Sequence, residues 1–269
     1  MITLTALTAN AAAITLYIVA SGYLATLVSR QQKTDRRCLL AFAAAALLFH
    51  GIGLYGKIIT AAGLQLNLLN STSLIFWVVN TLVLFSGLKK PLHNLFIFLF
   101  PLSAAVVLSS IIIPHQGSSL GQHPTGIVSH ILLSILAYSL LIIATLQALL
   151  LAFQNHQLKH KHPQGIIKLL PPLQTMESLF FELLWLGEIL LLAAIVTGFI
   201  FIDDLFAQHL AHKTVFTLLS FTIYAILLWG RHQRGWRGNT AIRWAVGGFA
   251  ALMLAYFGSK LVLEFLIKT

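Results

Sequence analysis

The run IVSHILLSILAYSLLIIATLQALLLAF, residues Ile127–Phe153, contains no Asp, Glu, Lys or Arg. A helix rises roughly 1.5 Å per residue and the hydrocarbon core of a bilayer is about 30 Å thick, so about 20 mostly apolar residues cross it. This run is long enough to cross with residues to spare. The same ruler, moved outward in both directions, finds four more spans before it and three after it. They cover about Leu4–Val28, Cys38–Tyr55, Thr72–Leu88 and Asn94–Ile113, then Leu179–Ile202, Thr214–Trp229 and Ile242–Ile267. Composition agrees. Hydrophobic residues make up 58% of the 269 and charged ones 9%, against roughly 25% charged in a soluble domain. So few charges cannot cover a water-exposed surface, whereas lipid needs none. The expected fold is all-α: a single polytopic membrane domain, 1–269, of about eight transmembrane helices.

The net charge of +10 is not a nucleic-acid signature, because of where the charges fall. With the N-terminus outside, the inner loops hold 13 basic residues: Arg30, Lys33, Arg36, Arg37, Lys89, Lys90, Lys159, Lys161, Lys168, Arg231, Arg234, Arg237 and Arg243. Lys57, Lys213, Lys260 and Lys268 fall at the outer ends. This positive-inside asymmetry sets the expected orientation, N-out and C-out. The partner it implies is the lipid bilayer.

Several chemistries are missing from the chain. Cys38 is the single cysteine, which leaves no internal disulfide, no CxxC pair and no CxxCH attachment of haem. There is no phosphate-binding GxxxxGK[ST] loop, no HExxH helix and no GxSxG nucleophile turn. The expectation is a protein that binds and is not an enzyme.

Histidines carry what chemistry remains. His50 lies inside the second span, in Leu-Leu-Phe-His-Gly-Ile-Gly, and His130 near the outer end of the fifth. His209 and His212 stand just outside the seventh. An ionisable side chain in a span faces the bundle interior and marks a candidate site; the plainer reading is one interhelical hydrogen bond. Lys57 follows His50 by seven residues, on the same face and about 10 Å nearer the outer surface. Ser134 and Tyr138 follow His130 at a spacing of four. Two imidazoles in the outer half with a lysine above them suit haem, which takes axial nitrogen ligands and presents propionates to cations. Packing histidines and a snorkelling lysine remain the alternative. Glu188, deep in the sixth span, is a candidate for a proton or ion path, or a structural acid. Trp77, Trp185, Trp229 and Trp244 are read as interfacial anchors.

Thr197-Gly198, Leu228-Trp229-Gly230-Arg231, Gly235-Trp236-Arg237-Gly238 and Ala255-Tyr256-Phe257-Gly258 resemble the C-terminal half of the cytochrome c assembly (CcsA/CcmC-like) membrane family. Pro171-Pro172-Leu173, the His50/Lys57 pair and the His130, Ser134, Tyr138 run extend the likeness to the family's HemX-like branch. It covers nearly the whole chain, with a family core at about residues 70–267. In relatives of this kind, a tryptophan-rich outer loop between the counterparts of helices six and seven holds haem, and two outer histidines ligate its iron. His130 matches the first histidine. Here the loop Ile202–Lys213 has no tryptophan and Ser259–Thr269 has no histidine, so His50, His209 or His212 would have to supply the second ligand.

The resemblance implies a haem-binding or haem-handling protein of the bacterial inner membrane, associated with cytochrome c biogenesis. Its cofactor would be haem b, with His130 and His50 on the iron, Lys57 on a propionate and His212 nearby. A protein of cytochrome c maturation or of haem biosynthesis is the implied partner. Two alternatives stand beside it: a regulator or scaffold of haem biosynthesis acting through the inner loops without haem, and a small-solute permease.

Overall fold

Leu48, Ile52, Ile112 and Ile200 are each more than half exposed, while His50, Asn80, Ser103 and Ser139 are wholly buried. Apolar outside with polar groups turned inside is the arrangement that lipid selects, since a polar group facing hydrocarbon has nothing to bond. The computed structural model describes residues 4–30, 32, 35–60, 63–113, 125–159, 170–202 and 208–258.

Among these are eight α-helices: α1 Leu4–Ser29, α2 Arg36–Ile58, α3 Leu68–Gly87, α4 Phe96–Ile112, α5 Thr125–Lys159, α6 Leu173–Phe201, α7 Gln208–Arg234 and α8 Gly238–Met253. Seven of them are long and apolar enough to cross a membrane. The eighth differs from expectation within the described residues. Its 16-residue α-helix passes into a π-helical turn, Leu254–Gly258. The rest of the expected span, and the residues Ser259–Thr269, lie outside the described residues, as do Asp203–Ala207 and the loop 114–124. One departure from pure helix is a two-residue hairpin, β1 Ile59–Thr60 against β2 Gly63–Leu64, with Gly63 at φ 107, a conformation open to glycine.

The helices sort into two compact units. Residues 1–122 and 163–171 form the first, and 123–162 with 172–269 the second. In the first, α1 packs on α2 and α4, and α3 on α2 and α4. The contact faces are small: Ala6, Ala9, Ala13 and Ala20 on α1, Ala43 and Ala46 on α2, all buried. Small residues let helix backbones approach closely, which is where packing energy comes from when lipid surrounds the bundle. Asp35 caps α2 by accepting from the Arg37 amide at 3.0 Å, and Asn67 caps α3 by accepting from the Asn70 amide at 2.8 Å. Asn80 of α3 donates to Ser103 Oγ of α4 at 2.7 Å, a buried polar tie between the two. In the second unit α5 packs on α6 and α8, and α7 on α6 and α8.

Candidate functional site

The first unit holds His50. Tyr17 Oη of α1 lies 3.1 Å from Nδ1, and Ser73 Oγ of α3 lies 2.9 Å from Nε2. A neutral imidazole has one donor and one acceptor, so one ring nitrogen accepts, the other donates, and both are engaged. The Tyr17 ring meets the imidazole edge-on at 5.9 Å and packs on Phe100 of α4 at 5.6 Å. The glycines that follow His50 make this approach possible. A Cβ on Gly53 would stand 2.3 Å from Asn10 Oδ1 of α1, and one on Gly51 3.1 Å from the Trp77 indole nitrogen. Trp77 sits mid-way along α3, not at an interface, and its indole donates to the Leu47 carbonyl at 3.0 Å. One buried histidine thus ties α1, α2 and α3 together.

Lys57 sits one and a half to two turns further along α2 on the His50 side, as its spacing predicts. Its Nζ donates to the carbonyl and the hydroxyl of Ser110, each at 2.9 Å. Ser110 is in the last turn of α4, where carbonyls lack helical partners and the dipole favours a cation. Two of the three ammonium donors are therefore spent on a helix end.

His130 belongs to the second unit, on the second turn of α5. Its Nδ1 lies 2.8 Å from the Ala194 carbonyl of α6 and 3.4 Å from Thr197 Oγ1. A carbonyl can only accept, so Nδ1 carries a proton, and in the neutral ring the lone pair is then on Nε2. No described residue bonds Nε2. The ring lies against Gly198, where a Cβ would come within 3.1 Å of Cε1. The Thr197-Gly198 pair thus has a physical role: the threonine sits beside Nδ1 and the glycine leaves room for the ring. Ser134 and Tyr138, which follow His130 at a spacing of four, bond elsewhere. Ser134 donates back to the His130 carbonyl at 2.7 Å. Tyr138 donates to Met253 Sδ at 2.8 Å and packs on Phe249 and Tyr256.

His212, exposed, lies in the first turns of α7. Since α6 ends at Phe201 and α7 begins at Gln208, His212 and His130 belong to the same end of the unit. The His209 side chain lies outside the described residues. Among the described residues no three His, Cys, Asp or Glu gather as a metal site.

The opposite end of the second unit carries a cluster that sequence reading missed. Glu177 of α6, 4% exposed, accepts from Arg231 Nη1 at 3.0 Å, from Arg237 Nε at 2.9 Å and from Arg237 Nη2 at 3.0 Å. Trp236 stacks on Trp244 at 5.4 Å and covers Gly230, where a Cβ would meet its ring at 2.3 Å. Gly235 and Gly238 take φ of 64 and 54, so the chain can reverse between α7 and α8. The signal available for Glu177 was a rare acid, one of seven Asp and Glu in the chain, in a protein with 17 Lys and Arg.

Seven long apolar helices, with polar side chains such as His50, Asn80 and Ser103 turned inside, make this a multi-pass integral membrane protein. The chain belongs to the cytochrome c assembly protein family, whose profile matches residues 38–267. It is 31% identical over 229 residues to the inner membrane protein YpjD of Escherichia coli, covering 84% of this chain and 87% of that one. A 28.8 kDa protein of Azospirillum brasilense is 31% identical over about half of each chain, 51% and 52%. The cytochrome c biogenesis protein CcsA of Chlamydomonas reinhardtii is 25% identical over 51% of this chain and 38% of its own. No solved structure matches.

Proposed function

We propose that this protein binds haem b at the outer end of its second unit, with His130 Nε2 as an axial ligand, and serves cytochrome c assembly or haem handling by binding and orientation rather than catalysis. The observation that carries the reading is the His130 tautomer. A ligating histidine characteristically donates its other ring N–H to a carbonyl or carboxylate, which fixes ring and lone pair together, and the Ala194 carbonyl does this here. With Cys38 the single cysteine, the haem would be held without thioether bonds. His212 is the candidate second ligand, by its place at the same end of the unit. His50, with both nitrogens engaged, is assigned to holding helices and Lys57 to closing α4. The distribution of basic residues supports an N-out, C-out orientation in a bacterial inner membrane, the location in the name of its relative YpjD. A protein of cytochrome c maturation or haem biosynthesis is the corresponding partner.

A second reading, a regulator working through its inner face, draws on the Glu177–Arg231–Arg237 clasp, which gives that face a fixed shape. One experiment separates the two. The protein is purified in mild detergent from haem-replete cells, and oxidised and reduced visible spectra are recorded for the parent, His130→Ala and His50→Ala. A Soret band lost in His130→Ala and kept in His50→Ala is the expected result. A parent protein that stays haem-free after reconstitution overturns the haem reading and moves the search to the inner clasp.

A further inference from the structure

Thr197 lies near the outer end of α6, three residues after Ala194, and both it and His130 are half-buried. A threonine in a helix commonly turns its hydroxyl back onto the carbonyls three and four residues earlier. Thr197 does so, its Oγ1 standing 2.9 Å from the Ala193 carbonyl and 3.0 Å from that of Ala194. Ser139 of α5 makes the same kind of bond, to the Ile135 carbonyl at 2.7 Å. Thr197 differs from it in facing a histidine: Oγ1 also lies 3.4 Å from His130 Nδ1. Both ends of this contact are set. The hydroxyl hydrogen is committed to carbonyls of α6, so the oxygen shows a lone pair to the ring. Nδ1 carries a proton, because the Ala194 carbonyl 2.8 Å away can only accept. One N–H therefore meets two acceptor oxygens, the carbonyl close and the hydroxyl further off.

We propose that Thr197 is a positioning residue for the haem ligand: its oxygen, the second acceptor on Nδ1–H, makes the ring a stronger donor at Nε2 and lowers the haem reduction potential. This role rests on haem binding at His130. At 3.4 Å the contact is long for a hydrogen bond, so the effect is mainly electrostatic. The negative end of the hydroxyl dipole beside the N–H draws its proton outward and leaves the ring richer in electrons. Support of this kind on the far nitrogen raises the basicity of a ligating histidine, and hydrogen bonding around the axial ligand is one lever on haem potential. A ring that donates more favours ferric iron. The same hydroxyl gives part of its hydrogen to the Ala194 carbonyl, which weakens that carbonyl as an acceptor. Its shorter bond goes to Ala193, so the lone pair facing Nδ1 is the larger effect.

Thr197→Val keeps the shape of the side chain and removes the oxygen, whereas Thr197→Ser keeps the oxygen. Two readouts compare them in lipid nanodiscs. In the haem-free protein with isotope-labelled histidine, the His130 Nδ1–H proton resonance should move upfield in Thr197→Val and stay at the parent position in Thr197→Ser. In the haem-loaded protein, the midpoint potential should rise in Thr197→Val by up to about 59 mV, a tenfold change in the ratio of reduced to oxidised iron. Thr197→Ser should keep the parent midpoint. An unmoved resonance, a midpoint that stays or falls in Thr197→Val, or a Thr197→Ser that behaves as Thr197→Val overturns the proposal. If Thr197→Val does not fold, as judged by thermal unfolding, Thr197→Ala takes its place. A parent protein without a Soret band defeats the haem reading instead, and the resonance in the haem-free protein still decides whether the Thr197 oxygen acts on the ring.

Discussion

His50 and His130 both sit on apolar helices and both look, in sequence, like a lone imidazole in a membrane. Their surroundings differ in one respect that decides their chemistry. Around His50 two hydroxyls, from Tyr17 and Ser73, meet both ring nitrogens. Around His130 a carbonyl meets one nitrogen, and no described residue bonds the other. A ring bonded on both sides is cement between helices. A ring bonded on one side, by a group that can only accept, is a lone pair held in a set direction. The difference teaches that burial is a poor guide to an available ring nitrogen: the more deeply buried histidine is the saturated one.

The comparison can be broken most directly at His130. His130→Ala should abolish the Soret band in full, and a spectrum that survives it would remove the distinction between the two sites. The next largest effect is expected from Gly198→Val, whose branched side chain enters the space of the imidazole. Haem affinity should fall roughly 10–100-fold, as for other losses of support around a metal ligand, while helical content by circular dichroism is unchanged. At the other site, Tyr17→Phe or Ser73→Ala should lower stability by about 1–2 kcal/mol by leaving His50 half-bonded, read as an earlier unfolding midpoint with an unaltered haem spectrum. Smallest of all, Lys57→Met should cost about 0.3–1 kcal/mol through the lost cation at the end of α4. If Lys57→Met instead shifts the haem reduction potential and leaves the unfolding midpoint alone, the lysine faces a propionate and the division drawn here is wrong.

The residues themselves show why some of this was legible and some was not. Span positions follow from local composition, so the helices were readable, although ends moved: α6 begins at Leu173 where hydropathy alone suggested Leu179. The lysine seven residues after His50 was readable as sharing its face, because helical spacing is local. Its partner Ser110 was not, since that contact spans 53 residues. The spacing of four from His130 to Ser134 to Tyr138 was readable, but not where the hydroxyls go: the serine closes on its own helix and the tyrosine reaches Met253 across 115 residues. The glycines and tryptophans of Trp229-Gly230-Arg231 and Gly235-Trp236-Arg237-Gly238 marked a motif, and only the fold showed it closing on Glu177.

Composition and hydropathy by themselves determined a membrane-spanning, all-helical chain, and its motifs a family likeness along most of its length. These properties are sums over neighbouring residues, and a bilayer reads them without knowing the fold. Among the described residues, tertiary structure decided which imidazole nitrogen is left without a partner, which lysine is committed to a helix end, and which glutamate is clasped by two arginines. Each of those depends on a hydrogen bond between helices far apart in the chain, and a hydrogen bond is decided by a few tenths of an ångström and a direction, neither of which is written in the spacing of residues along a helix.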